Sequence, residues 1–143
     1  MDTRTAAYSD AEAIIGFDHV AQSERSRVNF IHHAIASRSC FVGLVDGRVV
    51  GYGVLEYTFF ENGFISMLYV HPKFRRRGVG CALMRHMEQA CKTEKLFTST
   101  NRPNTRMQAL LKKLKYRSSG TIKNLHETDP ELVYFKRLQR QAT

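Results

Sequence analysis

Residues 68–83, LYVHPKFRRRGVGCAL, decide the fold. The segment begins as an apolar strand, and Pro72 stops it because proline has no N–H to give to a ladder. Basic side chains follow at Lys73, Arg75, Arg76 and Arg77, and then Gly78 and Gly80 stand at the mouth of a helix. Val79, Leu83, Met87 and Ala90 recur at helical spacing, while Arg85, Gln89 and Lys92 point elsewhere. The two glycines leave the turn backbone bare, so several N–H groups can close on an anion, and the helix dipole adds attraction. Strand, proline, basic turn, glycines and helix, in that order, fit a bound pyrophosphate. The G-x-G-x-x-G spacing of a dinucleotide fold is absent, and no lysine-serine or lysine-threonine pair closes a P-loop.

Upstream, SCFVGLV and RVVGYGVLEYTFF read as two long strands joined by a tight hairpin at Asp46-Gly47, a pair that tolerates positive backbone angles. Glu61-Asn62-Gly63 reads as a second turn, leading into the strand FISMLYV and completing a meander of three antiparallel strands. The opening TRTAAYSD reads as a short strand ending at Ser9 or Asp10. Either residue can cap the helix carried by Ala11, Ile14, Ile15 and Phe17. A second helix is expected over about 23–36, with Val28, Ile31 and Ile35 as its apolar stripe. Downstream come the strand KLFTST and a helix in NRPNTRMQALLKKLKY, with Asn104 as cap candidate after Pro103. YRSSGTIKNL and ELVYFKRL read as two last strands, separated by a polar connection containing Asp129-Pro130. The order is β-α-α-β-β-β-α-β-α-β-β, a single α/β domain over 1–143 with a central mixed, mostly antiparallel sheet flanked by helices.

The length of 143 residues fits one domain, and 43% hydrophobic with 24% charged residues is an ordinary globular balance. Lys plus Arg at 22 against Asp plus Glu at 13 leaves +9, which favours an anionic ligand, cofactor or surface. Three cysteines cannot all pair, and no secretory segment opens the chain, so a reduced, cytoplasmic protein is expected. No apolar run approaches the ~18 residues of a membrane span. Cys40, Cys81 and Cys91 lie in apolar surroundings and read as core thiols. His32 and His33 diverge by about 100° on a helix, and neither H-x-x-x-H nor C-x-x-C occurs, so no metal is expected.

With these residues in view, the chain resembles the GCN5-related N-acetyltransferase (GNAT) family. LYVHPKFRRRGVGCALM is similar to that family's acyl-coenzyme A motif, R/Q-x-x-G-x-G/A, with Arg75, Gly78 and Gly80 in the named positions and Arg76 and Arg77 between them. STNRPNTRMQALLKKLKY resembles the family's next motif, in which an asparagine, here Asn104, begins a helix after the fifth strand. The specific residues lie between 65 and 116, and the element order extends the resemblance over nearly the whole chain.

The resemblance implies acetyl transfer from acetyl-coenzyme A to an amine, directly and with no metal. Arg75, Arg76, Arg77, Gly78, Val79, Gly80 and Cys81 would hold the phosphates. The backbone of Leu68, Tyr69 and Val70 would contact the pantetheine arm where the sheet splays open, and Asn104 would contact it from the other side. The family often places a thiolate-protonating tyrosine where this chain has Leu111, and leucine cannot donate that proton. Tyr116 and Tyr134 then become candidate acids, although a thiol of pKa near 8.5 also leaves without one. Glu56 is the carboxylate candidate for relaying the amine proton through a water. The acceptor is a small molecule or a protein amine; no nucleic acid and no membrane partner are expected, and a homodimer stays open. Two alternatives compete. A noncatalytic coenzyme A sensor or scaffold would suit Leu111, and a basic nucleic-acid or interaction module would suit KFRRR, KKLKYR and KRLQR.

Overall fold

Asp46 and Gly47 hold φ of 50° and 78°, the left-handed pair of a two-residue hairpin turn. That turn sets the register Val45↔Arg48 and returns β2 (Cys40–Val45) as β3 (Arg48–Phe59). The computed structural model describes residues 2–138, so Gln139 and Arg140 of the basic KRLQR stretch lie outside the described residues. Before the hairpin come β1 (Asp2–Thr5), α1 (Ala11–Phe17) and α2 (Arg25–Ala36). After it come β4 (Asn62–Val70), α3 (Val79–Ala90), β5 (Lys95–Asn101), α4 (Thr105–Lys113), β6 (Arg117–Ile122) and β7 (Glu131–Arg137). The expected order of elements is therefore the observed one. The sheet runs β1-β2-β3-β4-β5-β7-β6, with β4 and β5 parallel and β1–β2, β2–β3, β5–β7 and β6–β7 antiparallel.

Two turns fall elsewhere than expected, and β6 stops at Ile122, short of the expected Leu125. The β3–β4 turn falls on Phe60 (φ 51°) and Glu61 (φ 64°), so Asn62 and Gly63 belong to β4. Gly63 is needed in the strand because a Cβ there would meet the Cys91 Sγ at 2.5 Å. Asn62 supports the turn from the strand by donating its side-chain amide to the Phe60 carbonyl, 3.1 Å. At the other end β1 stops at Thr5, and a 3-10 turn covers Tyr8–Asp10. Asp10 stands at the start of α1 but does not cap it. Its carboxylate reaches back to accept the Ala7 N–H at 2.7 Å and a bidentate Arg4 guanidinium at 2.7 and 3.1 Å.

The Arg4 hydrogen bond holds the Asp10 carboxyl below the usual carboxylate range against an opposing burial effect. A depressed carboxylate contributes stability above its unfolded pKa of about 3.9 and loses it as pH falls through the folded value. Asp10→Asn should therefore flatten the acid limb of stability below about pH 4, read from urea midpoints against pH. An acid limb identical in the two proteins would remove this account.

The chain divides into two compact units: residues up to Leu55 with Met67–Ala90, and Glu56–Ser66 with the chain from Cys91 onward. In the first unit, Ile14, Ile31 and Ile35 of α1 and α2 pack with Val42, Tyr52 and Val54 of the strands. Helix α3 lies close on Gly43, Gly51 and Gly53, where added Cβ atoms would come within 2.9 Å of Val79, 2.8 Å of Val79 and 2.5 Å of Met87. The glycines thus open a bed for the apolar face Val79, Leu83 and Met87, all buried. In the second unit Ile65, Leu96, Leu111, Leu114, Tyr116 and Val133 are buried. No helix among the described residues is long and apolar enough to cross a membrane.

Candidate functional site

Strand β4 and the turn after it carry the polar geometry that the sequence singles out. Among the described residues β4 pairs with β5 at Gly63↔Leu96, Phe64↔Phe97 and Ile65↔Thr98, and β4 then continues to Val70 beyond the last of these pairs. At Ser66, the first residue past them, a buried hydroxyl oxygen has no hydrogen-bond partner among the described residues. An orphaned buried hydroxyl is costly unless something else satisfies it. Leu68, Tyr69 and Val70 complete the strand, and the His71 N–H ties its end to the Val50 carbonyl at 2.7 Å.

Pro72–Phe74 then form a 3-10 turn, with His71 Nδ1 accepting the Lys73 N–H at 3.0 Å. Burial, reinforced by Arg48, Lys73 and Arg75, pushes the His71 imidazole below its ordinary value. Arg75, Arg76, Arg77 and Gly78 are all exposed. Arg76 holds φ 65° and Gly78 φ 83°, and no atom of the described residues lies within 4 Å of a Cβ built on Gly78. The Gly78 carbonyl accepts the first α3 bond from the Ala82 N–H at 3.0 Å, so Val79 and Gly80 are the opening helical residues. Their N–H groups belong to the first turn, which no intrahelical carbonyl reaches. No acidic residue offsets the dipole there.

Three arginines, Arg75, Arg77 and Arg48, lie over aromatic rings. Arg75 lies 5.6 Å from the Tyr69 ring centroid and donates its Nε to the Val70 carbonyl at 3.0 Å. Arg77 lies 5.3 Å from the Phe74 centroid, and Arg48 lies 5.2 Å from the same ring. Sequence reasoning missed Arg48, because only the β2–β3 hairpin brings it to the basic turn. Cys81 is half-buried on α3, and Cys40 and Cys91 are buried. Burial pushes the Cys40 thiol up to about 12, so it stays protonated at neutral pH.

The remaining candidates lie in the second unit. Asn104 starts α4 as expected, its Oδ1 accepting the Met107 N–H at 3.1 Å. Leu111 is fully buried, so the position that resembles the family's tyrosine is filled as core. Lys115 holds φ 72° after α4, and the Tyr116 N–H donates to the Leu111 carbonyl at 2.9 Å. Tyr116 is buried, with Lys136 Nζ 5.5 Å from its ring centroid. Tyr134 is half-buried on β7, paired with Thr98 of β5 and Ser118 of β6. Glu56 is half-buried on β3. Among the described residues no group of three His, Cys, Asp or Glu could hold a metal ion.

Comparison with known proteins gives one consistent result. The model of the Acetyltransferase (GNAT) family matches residues 6–116. A GNAT-family acetyltransferase from Bacillus cereus ATCC 10987 is 31% identical, with 97% of this chain and 98% of that one covered at a TM-score of 0.91. The ribosomal-protein-S18-alanine N-acetyltransferase of Escherichia coli shares the fold at a TM-score of 0.80, 15% identity and 99% and 96% coverage. The Salmonella typhimurium protein yncA, solved with its cofactor acetyl-CoA, does so at a TM-score of 0.76, 17% identity and 100% and 96% coverage. No curated protein sequence matches. These relatives lend no support to a nucleic-acid module or a noncatalytic scaffold.

Proposed function

Because the chain belongs to the GNAT family of acetyltransferases, we propose that it transfers an acetyl group from acetyl-coenzyme A directly to a primary amine of a small molecule or a protein. The observation that carries this reading is the exposed turn of Arg75, Arg76 and Arg77 leading through left-handed Gly78 into α3. Guanidinium groups and bare helix-start N–H groups are the donors that a pyrophosphate requires.

Acetyl-coenzyme A supplies a thioester whose C–S bond breaks as the acceptor nitrogen forms a C–N bond. Arg75, Arg76 and Arg77 bind the phosphates, with the N–H groups of Val79, Gly80 and Cys81 completing the cradle. The backbone of Leu68, Tyr69 and Val70 aligns the arm and polarises the thioester carbonyl. The Asn104 side-chain oxygen caps α4, which leaves its amide N–H groups to donate to the arm. Positioning of this kind supplies much of the rate enhancement.

Glu56 takes the proton that the acceptor amine sheds, through one water. With Leu111 unable to donate, the thiolate leaves unassisted or takes a proton from Tyr116 or Tyr134. Glu56→Gln should lower kcat and shift the basic requirement of its pH profile over about pH 6 to 10. Tyr116→Phe and Tyr134→Phe should change kcat less. An unchanged Glu56→Gln profile removes the base assignment, and a loss of about a hundredfold in a folded tyrosine variant identifies a required acid. The acceptor itself is found by screening an amine library with acetyl-coenzyme A for thiol release and a product heavier by one acetyl group. Failure of every amine class would contradict the proposed reaction.

A further inference from the structure

Tyr69 stands where two separate pieces of the first unit meet. On one side its ring carries the Arg75 guanidinium of the basic turn, 5.6 Å away, and stacks on Phe17 at 6.2 Å. On the other its hydroxyl oxygen accepts the His19 N–H at 3.0 Å. His19 opens the 3-10 turn Val20–Gln22 that joins α1 to α2. The same turn is held from within by Asp18, which is fully buried. Asp18 Oδ1 accepts the N–H groups of Val20 and Ala21 at 3.0 and 3.3 Å. Its Oδ2 accepts Arg27 Nη1 at 2.8 Å and the Tyr52 hydroxyl at 2.5 Å. The α1–α2 turn therefore has a buried anchor at Asp18 and an exposed one at Tyr69.

We propose that Tyr69 is a positioning residue through which a polyphosphate ligand on the basic turn tightens the α1–α2 turn. The inference rests on the reading above, in which that ligand is acetyl-coenzyme A. Arg75 already spends its Nε on the Val70 carbonyl and holds its Cζ over the Tyr69 ring. A phosphate that engages the remaining Arg75 N–H groups fixes the guanidinium, and with it the ring beneath. A hydroxyl on a fixed ring loses less entropy when it bonds the His19 amide. The gain exists only while the turn is docked, so occupancy of the basic turn and docking of residues 18–22 are coupled.

The test is hydrogen exchange over residues 18–24 with and without saturating coenzyme A, in the native protein and in Tyr69→Phe, beside calorimetry of coenzyme A on the same samples. Tyr69→Phe keeps the ring and removes only the oxygen that holds His19. The native protein is expected to slow exchange there by about fivefold or more on binding. The variant is expected to lose most of that slowing. By reciprocity its coenzyme A affinity should fall by no more than the same factor. Coenzyme A binding with no change over 18–24, or full slowing in Tyr69→Phe, overturns this inference and leaves the proposed function standing. Absence of coenzyme A binding by the native protein overturns both.

Discussion

Replacing Asp18 with alanine is expected to destabilise the fold by about 3–5 kcal/mol, the cost of breaking a buried, hydrogen-bonded ion pair from one side. The carboxylate is 0% exposed and serves four donors: Arg27 Nη1, the Tyr52 hydroxyl and the N–H groups of Val20 and Ala21. Its loss leaves the half-buried Arg27 charge without its counterion and the Tyr52 hydroxyl, itself fully buried, without an acceptor. Burial and the Asp18 hydrogen bond already raise the Tyr52 phenol well above its ordinary value, so ionisation offers that group no relief. Domains are stable by only about 5–15 kcal/mol, so the variant forfeits a large share of the total. Tyr52→Phe should cost less, about 1.5–3 kcal/mol, because Asp18 keeps its other partners. Adding Arg27→Met to Asp18→Ala should recover part of the loss by removing the unpaired charge. Urea unfolding of the three variants checks the order. An Asp18→Ala midpoint close to the native one would contradict the account of this cluster.

What was legible in the sequence was local. Asp46-Gly47, Pro72, the Gly78 turn and the Asn104 cap each act within a few residues, and each lies where its chemistry requires. Asn-Gly usually marks a turn, yet the β3–β4 turn is Phe60-Glu61, two residues before Asn62-Gly63, because Gly63 is needed in β4 to let Cys91 approach. The Asp18 cluster left no local signal, since its members stand at 18, 27 and 52 and meet only after α1, α2 and β3 pack together. Gly43, Gly51 and Gly53 read simply as strand residues, and their use as a bed for α3 depends on a helix 26 or more residues downstream of Gly53, beginning at Val79. Arg48 and Ser66 belong with these: one is brought in by a hairpin, and the other matters only as a hydroxyl left without a partner.

The second large effect is expected at the proposed phosphate cradle. Gly80 is the second residue of α3, and a valine there would place branched methyl groups beside the helix-start N–H donors. Denying a pyrophosphate that approach should weaken coenzyme A about a hundredfold, equivalent to about 2.7 kcal/mol. The cost to α3 itself is small, since valine is a better helix residue than glycine. Arg77→Ala should weaken coenzyme A about tenfold, the value of one charge-assisted contact. Arg77 is already held over Phe74, so little ordering offsets its contribution.

Calorimetric titration of coenzyme A and of adenosine into the native protein, Arg77→Ala and Gly80→Val tests the central claim most directly. The predicted result is tight coenzyme A binding by the native protein, far weaker adenosine binding, and coenzyme A affinity reduced in both variants. Coenzyme A affinity unchanged in both variants would contradict the assignment of the Arg75–Gly80 turn as the pyrophosphate site.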